Sequence, residues 1–164
     1  MIISGYQCIG KSSLVKNDFG KYIDLESSNF FVNGVRPHNW HEIYVNIAKH
    51  LSDQGYRVFI SSHKVVRDCL NERGIKFITI SPSIFLKDKW IEKLQNRYDS
   101  TKSDKDYKAL MNAKACYDEN VADLQQEKYT LVLNGMDYRL DDLIEWTYGS
   151  TEWIQFNRPD YLED

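Results

Sequence analysis

A chain of 164 residues, 42% hydrophobic and 27% charged, has the composition of an ordinary globular domain and room for one core of three layers. Its formal net charge of −3 argues against a general nucleic-acid surface, and the absence of any run of about 18 apolar residues argues against a membrane span. Cys8, Cys69 and Cys116 are odd in number and widely spaced, which points away from a disulfide framework or a Cys-x-x-Cys metal site, and with no signal-like start the expected location is the cytoplasm.

The chain opens with Met1-Ile2-Ile3-Ser4, a short apolar run suited to a buried parallel strand. Gly5, Tyr6, Gln7, Cys8, Ile9, Gly10, Lys11 and Ser12 then fill every fixed position of G-x-x-x-x-G-K-[ST], a phosphate-binding loop. Glycine at both ends permits the positive or crowded dihedrals that bring successive backbone N–H groups onto an anion. Lys11 supplies charge to the β- and γ-phosphates, and the Ser12 hydroxyl can ligate Mg²⁺. A helix is expected from about Lys11, through Ser13 and Leu14, with its positive end toward the same phosphates. ATP and Mg²⁺ are therefore the expected ligands of residues 5–13. Cys8, inside the loop, reads as a small filler whose backbone matters.

Lys21 to Glu26 alternates like a strand, and its spacing puts Asp24 and Glu26 on one side. At the carboxyl end of a strand beside a phosphate loop, that side faces the metal or the acceptor substrate, so Asp24 is a candidate catalytic and metal-binding residue and Glu26 a substrate-binding one. Phe30 to Pro37, with Asn33-Gly34, reads as a loop or short hairpin. Asn39 and Glu42 form a capping-box pattern before a helix carrying Trp40, Ile43, Tyr44, Ile47, Ala48 and Leu51, which should stop near Gln54-Gly55. Residues 27–54 sit where nucleotide kinases bind their acceptor. There Arg36 can pair with an acceptor phosphate, and Phe30, Trp40 or Tyr44 could stack on a base, although the apolar stripe favours a core role for the aromatics.

Arg57 to Ser62 is a third strand, with no acidic residue at its end and Ser62 as a natural N-cap for the next helix. Arg67, about one turn into that helix, could reach a phosphate across the cleft, while His63 reads as a polar residue at a helix start. Phe77 to Pro82 is a fourth strand. The helix expected over Ser83–Tyr98 carries Leu86, Trp90 and Leu94 in one row and Lys89, Lys93 and Arg97 in another. Lys102, Lys105 and Lys108 prolong this basic run. Cationic side chains closing over a γ-phosphate need a lid, expected at about 83–108, with a hinge-like break at Asp99–Ser103. A long helix from Asp104 to about Glu127 should turn Tyr107, Leu110, Met111, Tyr117, Val121 and Leu124 inward. A fifth strand at Thr130–Asn134, an acidic helix from Leu140 to about Tyr148, and a short edge strand or tail at Thr151–Phe156 complete the chain. Strands alternating with helices imply an α/β fold with a five-stranded, mainly parallel sheet in three layers. No repeat or linker breaks it, so one domain is expected over 1–164.

The order of phosphate loop, acceptor region, strand ending in Ser-Pro, basic helix and long helix resembles the P-loop nucleoside monophosphate kinases. ISPSIFLKDKWIEKLQNRYDS followed by DENVADLQQEKYTLVLN is similar in layout to guanylate kinases. That resemblance implies that Lys11 and Ser12 bind phosphate and Mg²⁺ and that Arg97 is a lid arginine. A second lid arginine has no counterpart, Lys108 being merely nearby, and residues 27–54 are too short for a guanine-binding insert. Asp24-x-Glu26 looks instead like the acidic motif of shikimate-type kinases, and a compact phage-type deoxynucleotide kinase reconciles the two.

The leading expectation is transfer of the γ-phosphoryl of Mg-ATP to a nucleoside monophosphate, with Lys11, Asp24 and Arg97 catalytic and Glu26, Arg36, Arg67 and Lys93 on the substrate. A small-metabolite, nucleoside or polynucleotide hydroxyl kinase is the second. The third is a nucleotide-gated adaptor, favoured by the missing acid after the third strand and by an acidic, aromatic C-terminal end suited to a partner or a second copy.

Overall fold

The computed structural model describes residues 1–18 and 20–149; the edge strand or tail expected at Thr151–Phe156 lies outside them. Five strands alternate with helices: β1 (Ile2–Gly5), α1 (Lys11–Asn17), β2 (Tyr22–Asp24), α2 (Trp40–Asp53), β3 (Arg57–Ile60), α3 (Lys64–Glu72), β4 (Ile78–Pro82), α4 (Lys87–Thr101), α5 (Asp104–Leu124), β5 (Thr130–Leu133) and α6 (Leu140–Gly149). The sheet order is β2-β3-β1-β4-β5, with every pairing parallel. Parallel strands need crossovers, and helices supplied by those crossovers cover both faces.

The apolar runs read from sequence are buried throughout: each residue of β1, β3 and β4 lies in the interior. Successive side chains point to opposite faces, which divides the core in two. Ile2, Val58 and Ile60 meet Tyr44, Val45 and Ala48 of α2 and Val66 and Leu70 of α3. Ile3, Phe59, Ile78 and Ile80 meet Trp90 and Leu94 of α4, Leu110, Tyr117 and Val121 of α5, and Ile144 of α6. A three-layer α/β sandwich results, and the ends of β1 to β4 open onto one edge. Among the described residues no helix is long and apolar enough to cross a membrane, and the three cysteines are free thiols.

Local details depart from expectation where backbone groups satisfy each other first. Asn39 occupies the N-cap position of α2 but its side chain caps nothing; Pro37 O already takes the Trp40 amide and Asn39 O the Glu42 amide. His63, not Ser62, stands at the N-cap of α3, also without a side-chain capping bond. The loop after Phe30 is a hairpin tip, with Val32 bridging Val35 across Asn33 (φ 51) and Gly34 (φ 79), dihedrals of a primed turn. Helix α4 runs through the expected hinge as far as Thr101, so the break is confined to Lys102 (φ 53) and Ser103, whose hydroxyl accepts the Asp106 amide at 3.1 Å. Tyr107 is exposed rather than inward and lies against Tyr98.

Helix α6 is tied to the far edge of the sheet by charge. Glu145 accepts from Arg57 of β3 and from Lys21, and the Arg57 guanidinium also donates to the Tyr22 hydroxyl at 2.9 Å. Hydrogen bonds from Arg57 and then Lys21 pull the Glu145 carboxyl from its ordinary 4.5 to about 2. A depressed carboxyl pKa contributes stability above the unfolded value that is lost as pH falls through the folded one. Glu145→Gln should therefore lower Tm at pH 7, with the difference from wild type closing between about pH 4.5 and about pH 2. A deficit of constant size across that window would show that the pair adds nothing.

Candidate active site

Strand β1 delivers the chain to Gly5, and the Tyr6 amide makes one more sheet-like bond, to Ile80 O at 3.0 Å, before the loop departs. A Cβ on Gly5 would collide with Ile9 Cδ1, and Ile9 is only 1% exposed. The first glycine thus lets Ile9 fold beneath the loop. The second is conformational: Gly10 has φ 108, and a Cβ there would meet only Leu140 Cδ2, at 3.9 Å. Cys8 is also left-handed, at φ 67, a conformation that nothing in the cysteine side chain announces.

Three loop carbonyls are tied down from outside. Trp90 Nε1 donates to Gln7 O at 2.8 Å, the Tyr138 hydroxyl to Ile9 O at 2.8 Å, and the Leu14 amide to Gly10 O at 3.2 Å. Among the described residues, the amides from Gln7 to Ser13 have no backbone carbonyl partner. A run of unsatisfied N–H groups at a helix start is an anion cradle. Tyr6 and Ile9 contribute only backbone here, since both side chains are buried in the core.

In front of the loop lies a cavity of about 490 Å³ that gathers Gln7, Cys8, Gly10, Lys11, Ser12 and Ser13 from the loop, Asp24 and Glu26 from the end of β2, and Lys93 and Arg97 from α4. The sequence candidates Lys11, Ser12, Asp24, Glu26, Lys93 and Arg97 therefore share one space. Burial lowers the Lys11 ammonium pKa against the opposing pull of Asp24 and Glu26, and burial raises the Asp24 carboxyl against the pull of Lys11. Each holds its charge at a desolvation cost that an added opposite charge would relieve. Lys93 is also lowered by burial, and its ammonium rests 4.7 Å from the Trp90 ring.

Two neighbours from the start of α5 complete the cavity: Lys105, whose Nζ is 2.8 Å from both Glu26 oxygens, and Asp106, 3.1 Å from Arg97 Nε. Lys105 belongs to the basic run visible in sequence. Asp106 is the third residue after a serine N-cap, and the pairing with Arg97 is a tertiary contact that spacing does not reveal.

The other candidates lie elsewhere. Arg67 reaches no phosphate cavity: it is buried, held by Asp123 and by Glu127 (2.7 Å), with Nε on Ser62 O at 3.0 Å. Tyr44 is fully buried and bridges strand ends, donating to Leu25 O and accepting the Ser61 amide, while Phe30 packs edge-on against it. Arg36 stands apart from the cavity, stacked 4.4 Å from the Trp40 ring and 4.5 Å from that of Phe31. It donates to Ser27 Oγ at 3.1 Å and contacts His63 Nε2 at 3.3 Å. Its Nε is buried without a partner, and among the described residues no carboxylate pairs with it. His63 is pushed down by burial, then by the positive charges of Arg36 and Lys11.

The residues present suit Mg²⁺. Ser12 and the carboxylates of Asp24 and Glu26 are hard oxygen donors in one cavity, and among the described residues no set of three His, Cys, Asp or Glu forms a closed metal cage. Mg²⁺ keeps several waters and phosphate oxygens and needs only one or two protein oxygens.

The sheet order, the loop at the end of β1 and the helix beginning at Lys11 decide the architecture. The fold is P-loop kinase-like. No protein-family model and no curated protein matches this chain. Among solved structures it is similar to the tunicamycin resistance protein of Deinococcus radiodurans, with a TM-score of 0.55 over 90% of this chain and 92% of that one at 12% sequence identity. At that identity the likeness is one of fold alone.

The two loop glycines should respond differently to alanine. Gly10→Ala meets open space and costs about 1 to 3 kcal/mol of left-handed backbone strain, whereas Gly5 has no positive φ and Gly5→Ala acts by displacing buried Ile9. Both should lower Tm and weaken binding of a non-hydrolysable ATP analogue about tenfold or more in calorimetry, and Ile9→Val, which removes Cδ1, should recover Tm only in Gly5→Ala. Equal responses to Ile9→Val would remove the steric distinction.

Proposed function

We propose that the protein is a phosphotransferase that moves the γ-phosphoryl of Mg-ATP to a nucleoside monophosphate in cytoplasmic nucleotide metabolism. One observation carries this reading: the phosphate-loop cavity holds Lys11, Asp24, Lys93 and Arg97 together, while Arg36, a half-buried cation with a buried, unpartnered Nε, lies outside it against His63. A guanidinium with no carboxylate partner among the described residues suits a phosphate or carboxylate on the acceptor.

In this reading the triphosphate lies along the loop amides. A cleft of about 550 Å³ that shares Gly10, Ser13 and Lys93 with the main cavity, and whose wall includes Met136, Tyr138 and Leu140 beside the charged Asp18, Lys21, Arg139 and Asp141, takes the adenine. An oxygen of the acceptor phosphate attacks the γ-phosphorus, the bond from that phosphorus to the β,γ-bridging oxygen breaks, and ADP leaves. Charge on the equatorial oxygens is met by Lys11, Lys93 and Arg97. Ser12 and Asp24 would hold Mg²⁺, which when bound would supply further charge neutralisation. A phosphate acceptor is already ionised at neutral pH, so no base is required; α4 and the start of α5, over about 83–108, serve as the lid.

A hydroxyl acceptor is the second reading, favoured by Asp24. Burial raises its carboxyl, as a general base working near neutrality requires, and transfer to a hydroxyl would then fall away as pH drops through that elevated pKa.

A coupled ADP-release assay against ribo- and deoxyribonucleoside monophosphates, nucleosides and small hydroxyl compounds separates the two readings. Lys11→Ala should reduce acceptor-dependent ADP release by about three orders of magnitude with Tm nearly unchanged; undiminished turnover would end both. Arg36→Ala should raise KM for a monophosphate acceptor about ten- to a hundredfold while kcat moves little. An unaltered KM would leave the hydroxyl reading in possession.

A further inference from the structure

A separate cavity of about 270 Å³ lies between the start of the phosphate loop, the β3–α3 turn and α5, bounded by Tyr6, Gln7, Ser62, His63, Asn112 and Asn120. Two of its boundary groups are buried polar atoms without partners: the Tyr6 hydroxyl, on a side chain 3% exposed, and Gln7 Oε1. Leaving such atoms unpaired forfeits their hydration with nothing in return, so two orphaned atoms on residues that border one cavity point to a hydrogen-bonding ligand there.

The charged neighbours restrict that ligand. Arg67 at the cavity edge is already met by Asp123 and Glu127, and Lys64 by Asp68. His63 is pushed toward its neutral form by burial. No uncommitted cation among the described boundary residues is left for an anion, and what remains is amide and hydroxyl chemistry. Asn112 and Asn120 sharpen it. Eight residues span about 12 Å along a straight helix, yet α5 is broken at Cys116 (φ −136, ψ 21) and Asn120 Nδ2 donates to Asn112 Oδ1 at 2.8 Å. That bond uses one N–H of Asn120 and one lone pair of Asn112, leaving amide donors and acceptors free on both side chains at the cavity, groups of the kind that pair with a heterocyclic base edge. The volume falls below the roughly 300 to 1,000 Å³ of pockets for drug-sized molecules, so it suits one ring system rather than a whole nucleotide.

From these observations we propose that this cavity receives the heterocyclic base of the acceptor, with the kinked face of α5, Gln7 and Tyr6 reading its edge. The inference rests on the nucleotide-acceptor reading above and deepens it. Gln7 borders both this cavity and the phosphate cavity, and His63 joins it to Arg36. An acceptor with its base here would carry its phosphate toward Arg36 and Lys11.

The test uses the intact protein in two assays. In calorimetry with nucleosides lacking any phosphate, wild type should bind at least one nucleoside, and Tyr6→Phe and Asn112→Ala/Asn120→Ala should each weaken it about tenfold; ribose 5-phosphate, which lacks a base, should not respond to either change. In ADP release with the matching monophosphates, Asn112→Ala/Asn120→Ala should raise the acceptor KM about tenfold and narrow the ranking among bases while kcat and the KM for ATP hold. Nucleoside affinity and base ranking both unchanged in folded variants would overturn the inference, and so would the failure of every nucleoside to bind. If no monophosphate accepts a phosphoryl group but nucleoside binding still weakens in the variants, the proposed reaction falls and the base cavity stands.

Discussion

The shape of the loop between Gly5 and Lys11 is the constraint on which the rest depends, and it is maintained by hydrogen bonds to its carbonyl oxygens rather than by contacts to its amides. Trp90 comes from α4, Tyr138 from the segment before α6, and Leu14 from α1. Three parts of the chain far apart in sequence thus converge on the outside of one turn. Once the carbonyls are engaged outward, the amides have nothing left to bond but what enters the cavity. Ile9, packed under Gly5, closes the arrangement from the core side.

The electrostatics follow from that geometry. A cavity floored by unsatisfied amides is already positive in field, and the half-buried Lys11 adds its charge to it. Asp24 and Glu26 stand opposite, and Lys105 and Asp106 form a ring in which Glu26 meets Lys105 and Arg97 meets Asp106. These outer pairs are partly exposed and worth little individually. Their role is positional: they hold long side chains at the rim, where a polyanion can exchange partners with them at small cost. Arg67 is the opposite case, a guanidinium committed to two carboxylates and to the architecture of α3 against α5.

The fold was legible because its signals are local. An apolar run, a glycine-lysine-serine loop and alternating periodicities each depend on neighbouring residues, whereas the strand order, set by tertiary packing, was not among the expectations. Within the site, Lys11, Ser12, Asp24 and Arg97 could be read because their positions follow from strand ends and a helix row. The misses share a cause. The Arg67 carboxylates lie 56 and 60 residues away, Asp106 pairs with a partner on another helix, and the amides that Asn39 would cap are taken by the carbonyls of Pro37 and of Asn39 itself. The left-handed Cys8 is set by the loop as a whole, not by its own side chain. No spacing rule carries such information.

The bond from Trp90 to the loop limits how α4 can move. Trp90 is fully buried and anchored to Gln7 O, so it is a fulcrum, while Lys93 and Arg97 ride the same helix one and two turns beyond. Seven residues of helix place Arg97 about 10 Å from that fulcrum, so a tilt of about 10° carries its backbone through a stroke of only about 2 Å. A lever this short delivers charge by small rotation rather than by the swing of a whole domain. Its travel is bounded by the two-residue break at Lys102 and Ser103, and the tryptophan at its pivot sits where strain in the phosphate loop would be felt first.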